Sequence, residues 1–166
     1  TGALAAVGNA GNIMFLIYGF VSGLTTGFTV LTAQKFGVGD MKAVRQTVGT
    51  ASALLAVIGS LLTAVLIVFM EPLLHLMNTP EDIFQDTYSY SVIISAGILA
   101  QILYAFLTSI LRALGNSRIP LYFLTLCAAL NIVLDIALVA GAGMGVAGAA
   151  AATVVSQAVS GVMTLL

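Results

Sequence analysis

The stretch RIPLYFLTLCAALNIVLDIALVA, residues 118–140, decides the class of this protein. It is long enough to cross the hydrocarbon core of a bilayer as a helix, which takes roughly 20 apolar residues. Yet it carries Asn131 and Asp135 four residues apart, close to its far end. A carboxylate at the centre of a membrane helix costs about 2.5–3.5 kcal/mol on insertion scales. A segment this apolar keeps such a group only if the polar pair has work to do.

The rest of the chain agrees with a membrane setting. Of 166 residues, 60% are hydrophobic and 7% are charged, and the mean hydropathy is +1.14. A soluble domain carries about 25% charged residues to wet its surface. Five basic and six acidic side chains cannot do that here. There is no basic stripe with aromatic platforms, so nucleic acid is excluded as a partner. The single cysteine, Cys127, excludes an internal disulfide framework and reads as a packed core thiol. Thr1 is no initiator methionine and Leu166 stops inside an apolar run. The expectation is a piece of a longer membrane protein.

Five stretches are long and apolar enough to span: about 9–34, 44–70, 87–111, 119–140 and 146–166. They lack the period-two alternation of a membrane barrel, and helix is the remaining way to satisfy backbone groups in lipid. The expected fold is therefore an all-α polytopic bundle of five transmembrane helices. Glycines and Asp40 turn the chain at 35–45, and Asn116 with Pro120 separates spans three and four. In NTPED (78–82), Thr79 reads as an N-cap, Pro80 as the first helical residue and Asp82 as the capping-box acid. All basic residues flank two connectors: Lys35, Lys42 and Arg45 at the first, Arg112 and Arg118 at the third. The second holds Glu71, Glu81, Asp82 and Asp86 instead. By the positive-inside rule, connectors 35–45 and 112–118 are cytoplasmic and 71–86 and 140–146 are extracytoplasmic. His75 then reads as an outer-interface residue rather than a ligand.

Gly19, Gly23 and Gly27 form two G-x-x-x-G steps on one face of span one, a packing surface in lipid. Their reading is close packing inside one bundle, with a dimer face as the alternative. Gly145, Gly148 and Ala149–Ala152 give span five a smooth surface that suits a moving part. Asn12, Gln34, Gln101, Thr108, Thr153, Ser156 and Gln157 are further polar residues within spans, each readable as a helix–helix hydrogen bond.

Asp135 is the one acid inside a span. Asn131, at i−4, projects from the same face. Span five re-enters from the same side after a short turn, placing Thr153 roughly 10 Å deep at 1.5 Å per residue. Asn131, Asp135 and Thr153 are thus expected to meet between spans four and five. A carboxylate, an amide oxygen and a hydroxyl suit a proton or a sodium ion. The bland alternative is a hydrogen-bonded helix pair in which Asp135 stays neutral.

With those residues assembled, the chain resembles the MatE domain of the multidrug and toxic compound extrusion (MATE) family. The likeness lies in GALAAVG (2–8), VLTAQKFGVGD (30–40), LRALGNSRIP (111–120) and NIVLDIALVAGAGMGVAGAAAATVVSQ (131–157). The last of these is similar to the DinF-like bacterial branch. The resemblance implies helices two to six of a twelve-helix transporter of the inner membrane. Helix one, with a further acid, and a second lobe then belong to the rest of the same protein. It also implies export of small organic, cationic compounds against an inward flow of H⁺ or Na⁺, with no other cofactor. The coupling site would be Asn131, Asp135 and Thr153, with Na⁺ as the metal those three could hold. Two rivals are a flippase for lipid-linked sugars, disfavoured because no span interior carries Lys or Arg, and a structural subunit. An intramembrane enzyme is excluded, since one acid and one interfacial His make neither an aspartyl dyad nor a metal centre.

Overall fold

The computed structural model describes residues 2–165, with the side chains of Ala3 and Asn9 left aside. Thr1, and the expected end of span five at Leu166, lie outside the described residues. Six α-helices and one π-helical segment follow one another: α1 (Gly2–Gly37), α2 (Met41–Leu76), α3 (Glu81–Ala96), α4 (Ile98–Ala113), α5 (Arg118–Asp135), the π segment (Ile136–Gly141) and α6 (Gly145–Leu165). No strand occurs among the described residues. Four helices are long and apolar enough to cross a membrane by themselves, and α3 with α4 make a fifth span bent by 48°.

Local chemistry explains the turns. Gly39 takes a φ of +76°, and the Asp40 carboxylate accepts the Ala43 N–H at 2.9 Å to cap α2. We expect Asp40→Ala to destabilise the protein by about 1 kcal/mol, the usual worth of such a cap, read as an earlier thermal midpoint in detergent. At the end of α4, Gly115 adopts a φ of +85° and the Asn116 N–H returns to the Leu111 carbonyl at 2.9 Å, closing a glycine C-cap. The Asn116 side chain then accepts the Ile119 N–H at 3.2 Å and starts α5.

Ile13, Met14, Ile17 and Val21 of α1 pack with Leu55, Met70 and Leu74 of α2 and with Ile94, Ile98, Ile102 and Phe106 of the bent pair. The α1 positions recur at helical spacing, one face of a 3.6-residue period. Hydroxyls within this face are satisfied by their own helix: Thr25 donates to Val21 O at 2.9 Å and Thr32 to Phe28 O at 2.9 Å. Helix α6 packs against α3, α4 and α5, while α5 touches neither α1 nor α2.

Several expectations are corrected. Span three is not one helix over 87–111: it bends at Gly97, where a Cβ would lie 2.2 Å from Val154 Cγ2 of α6. Helix α2 does not stop at residue 70 but continues through Glu71 and Pro72 to Leu76, taking the first half of the expected outer connector. Helix α3 begins at Glu81 with Pro80 in the N-cap position, one residue later than the capping reading of NTPED. Span four changes from α to π pairing immediately after Asp135. The Gly19, Gly23 and Gly27 stripe has nothing within 4 Å of any of its Cβ positions. The bulky residues on the opposite side of α1 make the described core, so the stripe does not pack inside it. Helix α6 is not smooth either: Val154 fills the notch at Gly97, and Gly148 abuts the Leu138 backbone, with a Cβ 3.1 Å from its carbonyl carbon. Cys127 is half-buried on α5 rather than in the core.

Candidate cation site

Helices α5 and α6 are joined by a glycine turn, with Gly143 at φ +66° and Gly145 at φ +55°. That turn lays them side by side and brings two of the expected trio, Asn131 and Thr153, into contact, while Asp135 makes no described hydrogen bond to either. Asn131 Nδ2 donates to Thr153 Oγ1 at 3.4 Å, and Thr153 Oγ1 donates to the Ala149 carbonyl one turn earlier at 3.0 Å. The contact joins the faces that the i, i+4 spacing singled out.

The donors of this cluster are spent on one another while its acceptors are left over. Thr153 gives its proton to Ala149, and Asn131 uses its amide NH₂ on Thr153, which leaves the Asn131 carbonyl oxygen free to face a ligand. Asp135 Oδ1 is buried and has no hydrogen-bond partner, and the same holds for Gln157 Oε1, one turn beyond Thr153. Buried polar atoms in folded proteins are paired in the large majority of cases. Asp135 lies one turn from the Asn131–Thr153 contact toward the α5–α6 turn, and Gln157 one turn from it in the opposite direction.

No basic side chain offsets that charge. Arg118 opens α5, seventeen residues before Asp135 (135 − 118), or about 25 Å at the helical rise. His75, in the last turn of α2, lies with its ring 4.7 Å from that of Phe84 in the first turn of α3. A charged carboxylate is costly in an apolar membrane segment.

Sequence reasoning missed Tyr90 of α3, which lies within electrostatic range of Asp135. It is nine residues into α3, and Thr153 is eight into α6. Both helices start from the same end, so the two stand at matching depths of about 12–14 Å. That matched depth was the available signal. Tyr90 is also within range of Tyr18 on α1, whose hydroxyl reaches toward Gln101 of α4, although neither Gln101 amide atom completes a well-aligned hydrogen bond. Among the other polar residues singled out in the spans, Thr108 and Ser156 are closed onto their own helices, and Asn12 and Gln34 are exposed. No group of three His, Cys, Asp or Glu comes together among the described residues.

The fold is thus a bundle of apolar helices with one carboxylate inside a span. The MatE family model matches residues 1–137, and the chain belongs to that family of multidrug transporters. It is 32% identical over 158 residues to the probable multidrug resistance protein YpnP of Bacillus subtilis (strain 168), covering 95% of this chain and 36% of the relative. Its fold matches a multidrug resistance MATE family transporter of the MOP superfamily in the inward-facing conformation, with a TM-score of 0.93 and 25% identity over 99% of this chain and 37% of that one. The outward-facing conformation matches with a TM-score of 0.92 and 25% identity, over 97% and 36%. The chain spans about a third of the length of these relatives.

Proposed function

We propose that the chain forms the cation-handling part of a secondary active transporter that exports small organic, cationic compounds by alternating access in exchange for H⁺ or Na⁺. The observation that carries this reading is Asp135 Oδ1, buried without a partner beside Asn131 and Thr153. Binding a cation there neutralises the carboxylate and draws the free oxygens of α5 and α6 toward one point. An ion moves the equilibrium between outward- and inward-open states only through a difference in its affinity for the two. A pocket whose acceptors are unsatisfied without the ion supplies such a difference.

Charge placement supports an inner-membrane orientation with connectors 35–45 and 112–118 in the cytoplasm. Helix one and a second lobe are the partners this reading requires.

The test is export of a fluorescent cationic dye from proteoliposomes holding the full-length protein, under an imposed proton or sodium gradient. One gradient is expected to drive export at least several-fold above vesicles without protein. Equal dye movement with and without either gradient overturns ion coupling.

A further inference from the structure

At the basic end of the bundle, away from Asp135, α1, α4 and α5 enclose a cavity of about 400 Å³. A second of about 370 Å³ adjoins it between α1 and α4. Arg112, Ser109 and Thr26 line both. The volume is in the range small-molecule sites use, and its chemistry is one-sided.

Arg112 presents five N–H donors and makes one described hydrogen bond, Nη2 to Ser109 Oγ at 3.1 Å. No carboxylate lines either cavity among the described residues, so the guanidinium has no counter-charge there. Tyr104 also faces the first cavity and stands within electrostatic range of Arg112. Ser22, Thr26 and Ser117 line it too, and none of their hydroxyls has a described partner. Thr25 and Thr108, by contrast, are closed onto backbone carbonyls of their own helices. The free groups are therefore a guanidinium fork and several hydroxyl donors, converging with no acidic competitor. Planar, bidentate pairing with a tetrahedral oxyanion is what an Arg fork does best.

We propose that this cavity is a phosphate-binding site, centred on Arg112 and Ser109 and completed by the Ser22, Thr26 and Ser117 hydroxyls. It is separate from the cation site in place and in sign of charge, and it does not depend on the coupling role of Asp135. Leu121 and Leu124 form an apolar wall along the same cavity, on the side that continues along α5. A ligand with phosphate at the Arg and hydrocarbon against these leucines fits both halves. Basic pockets between membrane helices near the headgroup level hold anionic lipid headgroups in this way. A free phosphate or a phosphate-bearing solute shares the polar half of that chemistry.

The experiment uses the full-length protein in neutral detergent, with thermal midpoint as the readout. Three probes are titrated: phosphatidylglycerol, a diacylglycerol with the same chains but no phosphate, and inorganic phosphate. Phosphatidylglycerol is expected to raise the midpoint and the diacylglycerol to leave it in place; a rise with inorganic phosphate alone identifies a soluble phosphate as the ligand. Arg112→Gln is expected to raise the half-saturating concentration about tenfold or more, the worth of a charged hydrogen bond. Arg112→Lys, which keeps the charge and loses the fork, and Thr26→Val weaken binding by less and serve if Arg112→Gln does not fold. Arg45→Gln, on α2 and outside both cavities, leaves binding unchanged. A rise equal for phosphatidylglycerol and diacylglycerol overturns the site, as does no rise with any probe or an unchanged titration in every cavity variant.

Discussion

Asp135→Asn is expected to abolish ion-driven export in the full-length protein, to the level of vesicles without protein, while the variant inserts and folds. Asn is close to isosteric with Asp, so the packing of α5 on α6 is preserved. What disappears is the group that binds a proton, or holds a cation by charge. Asp135 Oδ1 is buried and orphaned, and leaving such a group charged costs more than a neutral amide does. The variant should therefore melt no lower than the wild type, which separates loss of coupling from loss of fold. Thr153→Val is expected to act more gently. It removes the hydroxyl that accepts from Asn131 at 3.4 Å but leaves the carboxylate. The ion concentration for half-maximal export should rise about tenfold, in keeping with one hydrogen bond to a charged site. Wild-type dye export by Asp135→Asn under the driving gradient would sink the coupling role outright. Export lost together with the thermal transition would point instead to a helix-pairing role for Asp135.

The contact between Asn131 and Thr153 was legible in the sequence because its geometry is local. Asn131 and Asp135 share a face by helical spacing, and a turn containing Gly143 and Gly145 fixes the register of α6 beside α5. Tyr90 was not legible as a site residue, because nothing within α3 says which neighbour its hydroxyl meets. Four of the five spans followed from apolar length alone. The bend in the third did not, since SVIISAGILAQ contains no proline and reads as one continuous helix. At the bend a residue of α6 packs against Gly97, a tertiary contact that local pattern does not hold. The glycine stripe of α1 misled for a related reason. Periodicity identifies a face that permits close approach but not which partner occupies it, and the core took the face of Ile13, Ile17 and Val21 instead. The continuation of α2 past Pro72 reflects the same limit. A proline removes one backbone donor, and whether the helix breaks depends on what surrounds the freed carbonyl.

The packing at Gly97 yields the largest expected change in stability. An added Cβ there would stand 2.2 Å from Val154 Cγ2 and 2.7 Å from Cγ1, inside any tolerable carbon–carbon contact. Val154 is β-branched, with its χ1 strongly restricted in a helix, so it cannot swing clear. Backbone must move instead, either straightening the 48° bend or lifting α6 from α3 and α4. Overpacking of this kind costs about 1–3 kcal/mol or more, and Gly97→Ala should lower the thermal midpoint of the full-length protein accordingly. Val154→Ala alone leaves a modest void. Combined with Gly97→Ala it should recover part of the loss, because the two clashing methyl groups of Val154 are gone and the one added methyl takes up some of their space. The coupling energy of that double-mutant cycle is expected to be clearly non-zero. Gly49→Ala on α2 provides the contrast: its Cβ would meet nothing within 4 Å, so it should be neutral or stabilising by up to about 1 kcal/mol through helix propensity. Equal melting of Gly97→Ala and Gly49→Ala would mean that the bend is not held by Val154. A bend that Val154 does hold fixes where α4 starts and so where Gln101, one turn past Gly97, presents its amide to Tyr18. On that account Gly97→Ala displaces Gln101 as well as lowering stability, and Val154→Ala eases both together.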